Sequence, residues 1–187
     1  MSAVLLVVDV QRCFLNIFTS HVPRRIRQVI ESRRYDQVWF TRFINVEDGP
    51  YRAFLDWHGG AEPPDTDLAP ELMPWTAPDR IFTKPGLTGP PAELAAHLRR
   101  LGPRQVHLVG IDTDMCVLKV AMDVFDLGIR PVVLVDCCAS TAGLQAHLAG
   151  LAVLARNIGA EQLRDAGLSE GYLGSPPADV TRYTNEG

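Results

Sequence analysis

The sequence has no apolar run approaching a membrane span, no excess of positive charge and too few cysteines for a disulfide framework. Its apolar start, residues 4–8, is far shorter than the ~20 residues that cross a bilayer, and no positively charged leader precedes it as in a secretory signal. No membrane partner and a cytoplasmic location are therefore expected. A formal net charge of −4 gives a phosphate backbone nothing to bind, so nucleic acid is not an expected partner. The four cysteines, Cys13, Cys116, Cys137 and Cys138, are neither dense nor spaced as zinc pairs, and reduced thiols are expected. Internal repeats and low-complexity tracts are also missing.

What remains is an ordinary globular composition of 187 residues, 47% hydrophobic and 21% charged, long enough to bury one core. Residues 1–187 are expected to form a single domain, with the polar, Gly- and Pro-rich residues 169–187 as a loose arm or subunit contact. Short apolar runs at residues 4–8, 37–41, 80–83, 105–111 and 131–135 read as strands buried on both faces. Helical periodicity lies between them, at residues 91–101, 114–127 and 142–158, with glycines at 102, 128 and 159 as stops. The arginine-rich residues 24–34 fit a helix with a solvated basic face and Ile26, Val29 and Ile30 turned inward. Strands alternating with helices bury their surface only as a three-layer sandwich, so the fold class is α/β, doubly wound and Rossmann-like, with a mostly parallel sheet. A short sixth strand is expected at residues 158–161. Residues 45–78 lack a clear period and read as a long loop, whose Tyr51, Phe54, Trp57 and Trp75 serve binding or anchor it.

In such a sheet, ligands bind beyond the carboxyl ends of the strands. Three residues stand there: Asp9 after the first strand, Lys84 after the third and Cys116 after the fourth. A cysteine at a helix N-terminus feels partial positive charge, which favours thiolate. Asp9 can take the thiol proton and Lys84 can stabilise the anion, giving a nucleophile, a base and a cation without metal or cofactor. Taken singly, each has an ordinary explanation: a buried structural cysteine, a helix-capping aspartate and a solvated lysine.

At these residues the sequence resembles the isochorismatase-like cysteine hydrolases. The resemblance rests on Asp9-Val10-Gln11 with Phe14, on Lys84, and on Gly110-Ile111-Asp112-Thr113-Asp114-Met115-Cys116-Val117 followed by Ala121 and Asp123, and it extends over about residues 3–160. It implies a six-stranded doubly wound sheet, a homodimer or homotetramer, and an Asp9, Lys84, Cys116 catalytic triad. It further implies a non-proline cis peptide between Ile111 and Asp112, with the backbone N–H groups of Asp112 and Cys116 forming an oxyanion hole.

The sequence also departs from the family's pattern. Nicotinamidases of this family hold a metal through an Asp and a His after the second strand. Phe43 and Asn45 stand there instead, and Asp56-Trp57-His58 comes too late in the loop to replace them. No metal is expected. Isochorismatases proper lack the nucleophilic cysteine, so Cys116 points to acyl chemistry: hydrolysis of an amide or carbamoyl C–N bond in a small molecule. Cys13 replaces a position that is commonly polar, and Asp112 one that is commonly small and apolar, where its carboxylate would disfavour anionic substrates. Phe14 and Trp57 are candidates for packing against a planar substrate in a pocket closed by a neighbouring subunit, and Arg42 and Asn45 for binding its polar groups. The alternatives are a catalytically silent binding protein of the same fold and a metal-assisted nicotinamidase.

Overall fold

A computed structural model describes residues 3–32 and 35–168; the expected C-terminal arm, residues 169–187, lies outside the described residues, as do Arg33 and Arg34 of the basic stretch. In chain order the regular elements are β1 (Val4–Val8), α1 (Val22–Glu31), β2 (Gln37–Phe43), α2 (Pro50–Leu55), β3 (Ile81–Lys84), α3 (Ala92–Leu101), β4 (Gln105–Ile111), α4 (Leu118–Asp126), β5 (Arg130–Ala139), α5 (Leu144–Ile158) and β6 (Leu163–Arg164). The six strands form one all-parallel sheet in the order β3-β2-β1-β4-β5-β6.

The continuous apolar character of β1 follows from its central position, because helices cover both faces of the sheet. Val4, Leu6 and Val8 pack with Leu94 and Leu98 of α3, Val120 and Val124 of α4, and Leu151 and Leu154 of α5. Leu5 and Val7 point the other way, onto Val22, Ile26 and Val29 of α1. Two-residue periodicity in the strand thus meets 3.6-residue periodicity on both sides. The chain leaves β1 toward β2 and β3, then returns to lay β4 against the other edge of β1. The crevice at this reversal is where ligands bind in such sheets.

Close approach at the reversal requires a glycine. Gly110 has φ +136, and a Cβ there would lie 2.1 Å from the Val8 carbonyl oxygen. Without a side chain, β4 keeps its register with β1 through Gly110, while its pairing with β5 shifts register between Leu108 and Gly110.

Several boundaries differ from expectation. β5 runs on to Ala139, since Cys137 and Cys138 continue its buried run past a shift in register, one facing each side of the sheet. The expected helix over residues 114–127 divides into a π-helical turn, Thr113–Val117, and α4. The sixth strand is at Leu163–Arg164 rather than residues 158–161, because α5 persists to Ile158 and Gly159 and a 3-10 turn intervene. Residues 45–78 contain α2 and a 3-10 segment, Pro70–Trp75, rather than loop alone.

On α1, Ile26, Val29 and Ile30 face inward as expected, but the basic face is not wholly solvated. Arg25 is buried and forms an ion pair with Asp136 of β5, whose other oxygen accepts the Ala166 N–H at 2.8 Å. Helical periodicity cannot foresee this, because the partner lies 111 residues away. Among the described residues, no helix is long and apolar enough to cross a membrane.

Candidate active site

Asp9 follows β1 directly and adopts φ 49, a left-handed conformation that aspartate tolerates better than most residues. The turn is held from the neighbouring strand: Thr41 of β2 accepts the Asp9 N–H at 3.2 Å and donates its hydroxyl to Asp9 Oδ1 at 2.7 Å. Gln11, fully buried, donates Nε2 to the Phe43 carbonyl at 2.9 Å and to the Thr66 carbonyl at 3.3 Å, and its Oε1 accepts the Phe43 N–H at 2.7 Å. Gln11 thereby ties the turn to β2 and to the long loop.

Lys84 ends β3, two strands from β1, and its extended side chain reaches back to the Asp9 turn. Its Nζ lies 2.7 Å from Asp9 Oδ2, donates to the Gly86 carbonyl at 3.2 Å and stands 3.6 Å from Cys116 Sγ. Both charged side chains are wholly excluded from solvent. Burial alone lowers the basicity of Lys84, but the Asp9 carboxylate and Cys116 outweigh it, so the net direction is upward and the ammonium keeps its proton.

Cys116 is placed by the π turn, in which the Val117 N–H reaches back to the Asp112 carbonyl at 2.9 Å. Such turns recur at functional sites. The Ile111-Asp112 peptide is cis. Cys116 as a residue is 6% exposed. Burial, then the charge of Asp9, push its pKa well above the usual thiol value against the opposing pull of Lys84. Desolvation and the Asp9 carboxylate thus oppose the thiolate that a helix terminus and Lys84 favour. A thiol and a carboxylate that both contact one ammonium meet the needs of base-assisted attack by sulfur.

Above Cys116 opens a pocket of ≈ 280 Å³ whose walls include Phe14, Phe43, Tyr51, Trp57, Asp112 and Thr141. Phe14 and Trp57, expected at the substrate, stack on each other there with ring centroids 6.1 Å apart. Arg42 and Asn45 do not line it. Thr41 and Phe43 of β2 face the site, so strand alternation sends Arg42 to the opposite face, where it borders a separate cavity with Arg12 and Asp67. Asn45 is buried, and its amide donates to the Trp57 and Gly59 carbonyls at 2.7 and 3.0 Å, which leaves it a loop-anchoring role.

Sequence reasoning gave no site role to Thr41 or Thr141, and offered Tyr51 only as one of four loop aromatics that serve binding or anchoring; it lines the pocket. A lone hydroxyl residue at the end of an apolar strand is a usable signal for Thr41; nothing local marks Thr141. The Asp112 carboxylate accepts the Thr141 N–H at 2.6 Å and its hydroxyl at 2.8 Å. Thr41→Val keeps shape but strips Asp9 of its hydroxyl donor, and should cost about 1–2 kcal/mol in urea-induced unfolding. Unchanged stability would show that the Thr41 hydroxyl bond contributes nothing.

The residues at the family's metal position do not fit a metal ion. Phe43 offers no donor, the Asn45 amide is engaged by backbone, and His58 lies exposed beside Asp56 at 3.0 Å. Among the described residues, no group of three or more His, Cys, Asp or Glu is placed to hold one.

Comparison with solved structures shows the same architecture. An isochorismatase-like hydrolase from Alkaliphilus metalliredigens aligns with a TM-score of 0.76 at 19% identity, over 89% of this chain and 96% of that one. The N-carbamoylsarcosine amidase of Thermoplasma acidophilum aligns at 0.73 and 23% identity, over 91% and 100%. The nicotinamidase of Bacillus subtilis aligns at 0.72 and 20%, over 88% and 100%. No curated protein matches the sequence significantly. The isochorismatase domain model matches residues 3–165, which include every strand and the Asp9, Lys84 and Cys116 cluster, and the chain therefore belongs to the isochorismatase family of hydrolases.

Proposed function

We propose that the protein is a cysteine amidohydrolase that cleaves a C–N bond of a small amide or carbamoyl compound through a thioester on Cys116. The observation that carries this reading is the contact chain at the foot of the pocket, with Asp9 Oδ2 2.7 Å from Lys84 Nζ and Lys84 Nζ 3.6 Å from Cys116 Sγ.

Starting from the thiol, the Cys116 proton leaves as the carbon–sulfur bond forms, and Asp9, which shares the Lys84 ammonium with that sulfur, is the base. The carbonyl π electrons move to oxygen, where the Asp112 and Cys116 N–H groups hold the negative charge. Collapse of this intermediate breaks the C–N bond, and Asp9 returns the proton to the leaving amine, ammonia in the simplest case. Water then enters, loses a proton to Asp9 and attacks the thioester. The C–S bond breaks, the sulfur regains its proton, and the carboxylic acid departs. Lys84 stays protonated throughout and holds Asp9 in place.

The metal-assisted alternative loses support because Phe43 has no donor atom and the Asn45 amide is engaged by backbone, and the silent-binder alternative because the Asp9, Lys84 and Cys116 positions are filled. Screening primary amides, carbamoyl compounds and ureides for ammonia release, with acid quenching during turnover, tests the proposal. The expected result is a peptide containing Cys116 heavier by the acyl group, that is, by the substrate less ammonia. Turnover with no acyl adduct on Cys116, undiminished in a variant lacking the thiol, would overturn it.

A further inference from the structure

The charge of the pocket is not accounted for by the chemistry at Cys116. Phe14, Phe43, Tyr51 and Trp57 contact one another with ring centroids 5.2 to 6.1 Å apart, forming a continuous aromatic wall. Among the described residues lining the pocket, Asp112 is the only charged side chain, and no Arg, Lys or His joins it. Lys84 lies below, sealed from solvent and matched by Asp9. The Asp112 carboxylate has about four acceptor positions, of which Thr141 occupies two.

A carboxylate that is 7% exposed, with spare acceptors and no cation beside it in the pocket, is best matched by a positive charge on the ligand. Aromatic faces carry negative quadrupole density and attract the same charge. A ligand carboxylate would instead meet like charge in a poorly solvated space. We infer that this pocket takes a small planar or compact amide bearing a cationic group, such as an N-alkylpyridinium or alkylammonium, held between the aromatic wall and the Asp112 carboxylate, and that it rejects amides bearing a carboxylate. The amide half rests on the hydrolase reading; the charge half does not.

Burial raises the Asp112 pKa to about 6 against the two hydrogen bonds from Thr141, with Asp114 on the same turn and Asp9 from the end of β1 adding to the rise. The other titratable neighbours are Cys116, Cys13 after β1 and Tyr51 of α2; the last two are pushed up to about 12, so all three stay neutral near pH 7. His147 of α5 bonds Thr113 rather than Asp112, and burial lowers its proton affinity. Asp112 is thus the pocket group that gains a proton as pH falls through about 6, and cation affinity is expected to fall with it.

The test uses three planar primary amides of similar size: 1-methylnicotinamide (cationic), nicotinamide (neutral) and 3-carbamoylbenzoate (anionic). Each is titrated calorimetrically into Cys116→Ala protein, where turnover does not interfere. At pH 7.5 the cation is expected to bind about tenfold tighter than the neutral amide and the anion about tenfold weaker. At pH 5 the cation's advantage should largely vanish, and adding Asp112→Asn should remove it at pH 7.5. The pH series needs no folded Asp112 variant. Equal affinities, preference for the anion, or no binding of any of the three overturns the inference. The same compounds given to the wild-type protein separate the two readings. Charge-ordered binding without ammonia release would leave the inference standing and remove the hydrolase; ammonia release without charge order would do the reverse.

Discussion

Cys116→Ala is expected to lower ammonia release by at least ~10³-fold on any substrate the wild-type protein turns over, because it removes the atom that forms the covalent intermediate. By the usual conversion this is about 4 kcal/mol of transition-state stabilisation. Stability should change by only ~1 kcal/mol, since one sulfur atom at the foot of an open pocket is lost and no charge is stranded. Cys116→Ser is the sharper control. It keeps size and hydrogen bonding but presents a hydroxyl far less acidic than a thiol, so Asp9 faces a harder proton transfer and activity should again collapse. Steady-state ammonia assays with thermal melts check both. Activity within tenfold of wild type in either variant would remove Cys116 from the chemistry.

The second large effect concerns the buried ion pair. Asp9→Asn leaves the Lys84 ammonium sealed from solvent without its carboxylate, and Lys84→Met leaves the Asp9 carboxylate without its cation. Breaking a buried pair from one side costs about 3–5 kcal/mol. In a domain of this size that is a fall in Tm of roughly 6–20 °C. Either single variant should also lose turnover, Asp9→Asn by about 10²–10⁴-fold as a general base is removed. The Asp9→Asn, Lys84→Met double variant buries no charge there and should regain most of the stability but none of the activity, a separation that ordinary structural damage does not produce.

The pH dependence has a definite sign. In wild type the folded-state lysine is raised, so its stabilisation is complete below the ordinary lysine value and is lost only as pH rises beyond it. In Asp9→Asn, burial acts without its main counterweight, and the folded-state value falls below the unfolded one. The native state then binds fewer protons than the unfolded state, and the stability deficit should shrink as pH rises toward 10. Urea denaturation across that range measures it. A deficit independent of pH, with a double variant no more stable than the singles, would show that the pair is not what holds the site.

Much of the fold was legible in the sequence because its signals are local. The apolar runs at β1 and β4 were readable at their true limits, since a strand covered on both faces is apolar throughout. Gly102 closes α3 with φ 58, as its place after the last apolar turn indicated. Asp9, Lys84 and Cys116 were marked by their positions at or just beyond the ends of strands, where an open parallel sheet gathers its polar groups. The weak spots were equally physical. β6 has two residues and no pattern of its own, and the π turn at Cys116 depends on how the chain leaves β4.

Residue order by itself determined the alternation of strands and helices and the three chemical groups set at the strand ends, because both follow from periodicity and from which residues adjoin a buried run. Only the tertiary structure decided how those groups behave. It turned Arg42 and Asn45 away from the pocket, buried Arg25 on Asp136, placed Thr41 on Asp9 and Thr141 on Asp112, and brought Tyr51 beside Cys116. It also set burial and the Asp9 charge against the thiolate that the helix terminus favours. The reason is common to all of these: solvation and the identity of a charge's neighbour depend on contacts between distant segments, which no local pattern encodes.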